Sequence, residues 1–105
     1  MFRGTTPTYI FKTPSSVDLT QATKVYVTFA KTNGTLIMTK TDEDLEISST
    51  QVEVYLTQEE TLSFPNGQVE IQLNWLYQVG DKVKRATSTK MLITAEQNLL
   101  NEVLS

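Results

Sequence analysis

The segment KVYVTFAKTNGTLIMTK, residues 24–40, constrains the fold of this chain more than any other stretch. Two runs rich in β-forming residues flank Asn33–Gly34, and both turn residues accept positive φ angles. The stretch therefore predicts a β-hairpin closed by a two-residue type I′ turn, with Phe29 opposite Met38. The face assigned to the core carries Val25, Val27, Phe29, Leu36 and Met38.

Other segments repeat the alternation of apolar and polar residues that is typical of half-buried strands. Further strands are expected at residues 8–12, at 45–47, at 51–57 and in QVEIQLNWLY, residues 68–77. Gly80–Asp81 then closes a hairpin to a last, irregular strand that we expect to carry a bulge near residues 89–91. The inward side chains of these strands are expected to be Val52, Val54, Leu56, Val69, Ile71, Leu73, Trp75 and Tyr77.

Two stretches depart from the strand pattern. Thr57 and Glu60 match a capping box, in which a hydroxyl and a carboxylate each satisfy a backbone N–H, so one helical turn is expected at residues 58–62. Near the end, Thr94 and Gln97 match a second capping box and predict a short C-terminal helix. One stripe of that helix carries Leu99, Leu100, Val103 and Leu104.

The chain is long enough for one domain, because a single core typically uses ~100–150 residues. We assign residues 1–105 to that domain, with residues 1–7 as an N-terminal arm and residues 95–105 as a C-terminal tail. Its 17 threonines favour strands, since β-branched side chains fit a pleated surface. About seven short strands with regularly spaced turns predict an all-β, antiparallel, immunoglobulin-like β-sandwich, with a small barrel as the alternative.

Composition excludes several kinds of function. Cysteine and histidine are both absent, which removes disulfides, the usual zinc sites and every Ser–His or Cys–His catalytic pair. The net charge of −3 argues against nucleic acid as a partner, and Lys82, Lys84 and Arg85 are expected to decorate a solvated hairpin. No signal peptide or membrane-spanning segment is expected. We therefore expect no enzyme activity, no catalytic residue, no cofactor and no metal.

Carboxylates offer the only acid–base chemistry. The acidic stretch that begins at Asp42 lacks the glycine and spacing of a calcium loop and is interpreted as solvated. Glu53 and Glu70 are expected on outward faces, without the spacing of a glycosidase pair. A carboxylate hydrolase at those two residues is therefore the weakest of three hypotheses.

Aromatic residues support a hypothesis from another class. Tyr26 and Tyr55 are predicted on outward faces and could contact the apolar face of a sugar, as in a carbohydrate-binding module. Trp75 falls among inward aliphatic residues and is expected in the core. Tyr26 and Tyr55 are thus the candidate glycan contacts.

Four stretches carry a resemblance to a known group of proteins: RGTTPTYIFKTP, VEVYLTQEETLSF, VEIQLNWL and LLNEVLS. In this order along nearly the whole chain they resemble small proteins encoded by phages and prophages of Gram-positive bacteria, often among tail and baseplate genes. Those proteins are similar to the immunoglobulin-like N-terminal domain of a phage baseplate upper protein. The stretch QVGDKVKRATSTK is more basic and irregular than that pattern, so the likeness implies no shared surface there.

The resemblance implies a non-enzymatic structural or adaptor role, in a virion or in the host cytoplasm, through other phage proteins or self-association. The predicted protein-interface residues lie at the two ends, because an extended arm can add to a sheet edge and an isolated short helix needs a surface to pack on. The alternative is that both ends close their own sandwich. The interface residues are Arg3, Thr5, Thr6, Pro7, Leu99, Leu100, Val103 and Leu104.

Overall fold

The computed structural model describes residues 1–88 and 90–96, and there eight antiparallel strands form two sheets that pack face to face. The predicted all-β sandwich is confirmed. The smaller sheet has the order β1-β5-β4, and the larger has the order β3-β2-β6-β7, with β8 also paired to β6. The strands are β1 (Thr8–Lys12), β2 (Lys24–Lys31), β3 (Leu36–Thr41), β4 (Leu45–Ile47), β5 (Gln51–Tyr55), β6 (Gly67–Val79), β7 (Lys82–Thr87) and β8 (Met91–Ala95).

The core lies between the sheets, where the alternation predicts it. The large sheet contributes fully buried side chains from β2 and β6, and the small sheet contributes them from β5. Phe29 meets Phe64 with ring centroids 5.7 Å apart and the rings tilted by 59°. Fully excluded from solvent are Val27, Phe29, Val52, Val54, Leu56, Phe64, Val69, Ile71 and Leu73.

The one described α-helix, α1 (Gln58–Leu62), confirms the predicted helical turn. Its capping box is complete: Glu60 N donates to Thr57 Oγ1 at 3.2 Å, and Thr57 N donates to Glu60 Oε1 at 2.9 Å. The helix carries the chain from the small sheet to the large one. Shorter 3₁₀ turns lie at Leu19–Gln21 and Asp42–Asp44.

The hairpin turn between β2 and β3 differs from the prediction. Gly34 has φ +92°, but within the described chain no residue other than glycine has a positive φ, so the type I′ turn at Asn33–Gly34 is wrong. Gly34 N donates to Lys31 O at 2.9 Å, and the register then shifts so that Leu36 faces Ala30. Because a one-residue shift reverses the faces, Leu36 lies 60% exposed and outside the core.

Strand β6 pairs with β2 along one side and with two strands along the other. Residues 74–79 pair with β7, and residues 67–71 pair with β8. β7 ends at Thr87 and β8 begins at Met91. The predicted bulge near residues 89–91 includes Thr89, which lies outside the described residues. In β8, Met91 and Ile93 pack against the core, as expected.

The predicted tail begins inside the sheet. β8 runs to Ala95, which is 2% exposed and opposite Gly67, so residue 95 belongs to the sandwich and Thr94 does not start a helix. The predicted stripe of the C-terminal helix lies outside the described residues. In residues 1–88 and 90–96 no helix has the length and apolar character needed to cross a membrane.

Candidate interaction surfaces

The N-terminal arm lies along its own domain. Glu96 N donates to Met1 O at 2.9 Å and Arg3 N donates to Glu96 O at 2.8 Å, which makes a parallel bridge beside Phe2. Farther along the arm, Leu56 N donates to Pro7 O at 3.1 Å. The arm therefore adds backbone hydrogen bonds at both sheets.

The end of α1 fixes the middle of the arm. The Arg3 guanidinium donates to Leu62 O at 2.6 Å, and Gly4 N donates to the buried Thr61 Oγ1 at 2.9 Å. Thr61 Oγ1 in turn donates to Thr5 O at 2.8 Å. Sequence reasoning missed Thr61, because nothing local distinguishes this hydroxyl from the other threonines.

The predicted interface residues of the arm differ in exposure. The side chains of Thr5 and Thr6 are exposed, whereas Arg3 and Pro7 are half-buried against the domain. Phe2, which was not predicted, has 54% of its surface exposed beside Glu96. The structure thus holds the arm beside Glu96, the last described residue; the predicted interface leucines and Val103 lie beyond the described part.

The two candidate glycan tyrosines lie on different sheets. Tyr26 is in β2, half-buried, with the Arg85 guanidinium 6.0 Å from its ring centroid. Tyr55 is in β5 and 53% exposed. Since the neighbours of both residues along their strands point into the core, the two rings lie on opposite outer faces and form no common platform.

The carboxylates are also separated. Glu53 points outward from the small sheet and accepts from Gln51 Nε2 at 2.9 Å, whereas Glu70 points outward from the large sheet and meets Lys90 Nζ at 3.2 Å. Asp42 Oδ1 accepts from Val25 N at 2.6 Å and fixes the start of β2. In the described ranges no group of three or more candidate ligands could hold a metal ion.

The carboxyl of Glu60 has a pKa below its ordinary value. Burial raises its pKa, but the hydrogen bond and charge of Lys40 and the backbone N–H of Thr57 outweigh burial, and the net pKa lies below 4.5. The same carboxylate completes the capping box of α1. The shift therefore belongs to a structural contact that ties β3 to α1.

The basic trio lies on the β6–β7 hairpin, as expected, but one member has a specific contact. Arg85 Nη2 donates to Asn74 Oδ1 at 2.9 Å, and Asn74 is 1% exposed. Lys82 and Lys84 are exposed.

Comparison of the chain with protein families, with curated proteins and with solved structures finds no match.

Proposed function

We propose that this chain is a non-enzymatic structural or adaptor protein of a phage or prophage, associated with the tail or baseplate and acting through protein–protein contacts. The resemblance of its sequence to small proteins from tail and baseplate gene clusters supports this function. Its place of action is then the virion, or the host cytoplasm during assembly.

The observation that carries the proposal is the contact between the N-terminal arm and Glu96, which directly follows β8. Phe2 is bridged to Glu96, so the arm lies beside the last described residue of the chain. Phe2 adds an exposed aromatic ring there, and its carbonyl oxygen accepts from the hydroxyl of the exposed Thr5 at 2.6 Å. A surface that combines an apolar ring, polar groups and the origin of a leucine-rich segment has the character of a protein contact site.

The first test asks whether the protein is a virion component. Particles purified from the strain that encodes this chain are analysed by mass spectrometry after extensive washing. Detection at a fixed stoichiometry to the major tail proteins supports the proposal. Absence from intact particles, with the protein present in the lysed cells, contradicts a role in the virion.

The second test locates the contact by light scattering coupled to size-exclusion chromatography across a wide concentration range. The whole chain is compared with a version that ends at Glu96, which keeps the bridge to Phe2. An oligomer that becomes a monomer on truncation assigns self-association to the leucine stripe. Monomers in both cases exclude self-association and leave a different protein as the partner.

A further inference from the structure

A notch lies where the inner face of the large sheet continues past the core. Val69, Ile71 and Leu73 are fully buried, but Trp75 and Tyr77, next in the same alternation, are half-buried. Trp75 packs against the core, as expected, but its side chain is only half-buried. The chain between β1 and β2 borders these rings and lines the notch together with them.

The notch has a volume of about 300 Å³. Its floor is the aromatic pair Trp75 and Tyr77, with Ala86 beside them, because Trp75 faces Ala86 in the pairing of β6 with β7. The small Ala86 side chain leaves the floor open. The volume matches the lower end of ~300–1,000 Å³ found for small-molecule sites, which suits a compact ligand.

The polar wall of the notch comes from Ser16, Asp18 and Gln21. These residues flank Leu19, which is 2% exposed and whose N–H donates to Ser49 O at 2.8 Å. At the end of the same segment, Thr23 N donates to Leu76 O of the large sheet at 2.8 Å. The wall is thus held to both sheets, which lowers the ordering cost of binding a ligand.

The chemistry of the lining restricts the ligand. Asp18 Oδ1 accepts from Thr20 N at 3.0 Å and from Thr20 Oγ1 at 2.5 Å, which leaves Oδ2 for an external donor. Gln21 adds an amide and Ser16 a hydroxyl. Asp18 is the only charged residue of the lining, so an anionic ligand is disfavoured.

A ligand that fits is apolar on one face and carries hydroxyl groups at its edge. A neutral pyranose has this character, because the C–H groups of one face pack on the electron-rich face of an aromatic ring and the hydroxyls point outward. We propose that the notch binds one neutral pyranose residue, stacked on Trp75 and Tyr77 and hydrogen-bonded by Asp18 and Gln21. This site does not depend on the proposed structural function.

The chain contains a single tryptophan, so its fluorescence reports directly on the notch. The folded protein is titrated with the methyl glycosides of glucose, galactose, mannose, rhamnose and N-acetylglucosamine to about 100 mM, far above the ~1 mM dissociation constant of a weak site. A saturable change in Trp75 emission with at least one glycoside is expected. No saturable change with any of the five overturns the proposal.

Two variants that keep Trp75 test the residues that are proposed to bind the sugar. Asp18→Asn retains Oδ1 as the cap of the 3₁₀ turn but replaces the free acceptor, and Tyr77→Ala removes half of the floor. Each is expected to weaken binding by about tenfold, which corresponds to ~1.4 kcal/mol, because Asp18→Asn loses a charged hydrogen bond and Tyr77→Ala loses an aromatic contact. The matched control Tyr55→Ala, on the other sheet, is expected to bind as the native chain does.

Two results contradict this assignment even if the fluorescence changes. Equal affinity for cyclohexanol, which has the ring but a single hydroxyl, identifies a general apolar cleft. Loss of binding in Tyr55→Ala with retention in Tyr77→Ala moves the glycan contact to the outer face of the small sheet. Circular dichroism of each variant confirms that it is folded before its affinity is compared.

Discussion

The hydroxyl of Thr61 donates to the carbonyl oxygen of Thr5 at 2.8 Å and accepts from the N–H of Gly4 at 2.9 Å. A single buried side chain thus satisfies two backbone groups of the arm, 56 and 57 residues away in sequence. This contact and the bridge from Phe2 to Glu96 both hold the arm against the sandwich.

Replacing Thr61 by valine tests this contact. Thr61→Val keeps the shape of the side chain but leaves the Gly4 N–H and the Thr5 carbonyl unpaired, so we expect a loss of ~1–3 kcal/mol in the free energy of unfolding. Chemical denaturation of the purified variant measures it. Thr6→Val, at an exposed residue of the same arm, serves as the control and is expected to change stability by less than ~0.5 kcal/mol. Equal stability of both variants would show that the arm is not fastened by Thr61.

The aromatic pair in the core gives a second prediction. Phe64→Ala removes a fully buried ring that meets Phe29, and large-to-small changes of this kind cost ~3–5 kcal/mol. Phe2→Ala removes the same atoms from a residue that is 54% exposed, so only a small loss is expected. Thermal unfolding followed by circular dichroism compares the two. A larger loss at Phe2 would contradict the burial of Phe64.

The turn between β2 and β3 gives a third prediction. Gly34 has φ +92° and nothing within 4 Å of an added Cβ, so Gly34→Ala is costly through backbone conformation alone, by ~1–2 kcal/mol. Gly34→Asn is expected to cost less, because asparagine tolerates a positive φ better. The denaturant midpoints of the two variants measure this difference in stability. The opposite order would indicate crowding by a side chain.

Stability at acid pH depends on Glu60. Its pKa is lower in the folded protein than the ordinary 4.5, so the unfolded state takes up the proton first as the pH falls. The contribution of Glu60 is fully present above pH 4.5 and is lost as the pH falls through the folded-state pKa. We expect Glu60→Gln to be less stable than the native chain at neutral pH, with the difference shrinking below about pH 4.5. Denaturation at a series of pH values measures it, and a constant difference would contradict the linkage to Lys40.

Features that depend only on residues close together in the sequence were predictable from the sequence. The alternation in β2, β5 and the first half of β6 identifies the buried residues, because side chains of a strand point alternately to its two faces. The capping box at Thr57 and Glu60 identifies α1, since both of its hydrogen bonds close within four residues. These interactions need no information about the rest of the molecule.

Only the tertiary structure showed what packs over the apolar face of each strand. Trp75 continues the inward alternation of β6, but it is half-buried and shares an open notch with the chain between β1 and β2. Leu36 lies outside the core because the turn between β2 and β3 sets a register that the pattern of apolar residues did not specify. The sequence determined which face of each strand is apolar, through local geometry. Only the packing of the two sheets determined how much of that face is covered and where the arm is held, because burial and long-range hydrogen bonds depend on residues far apart in the chain.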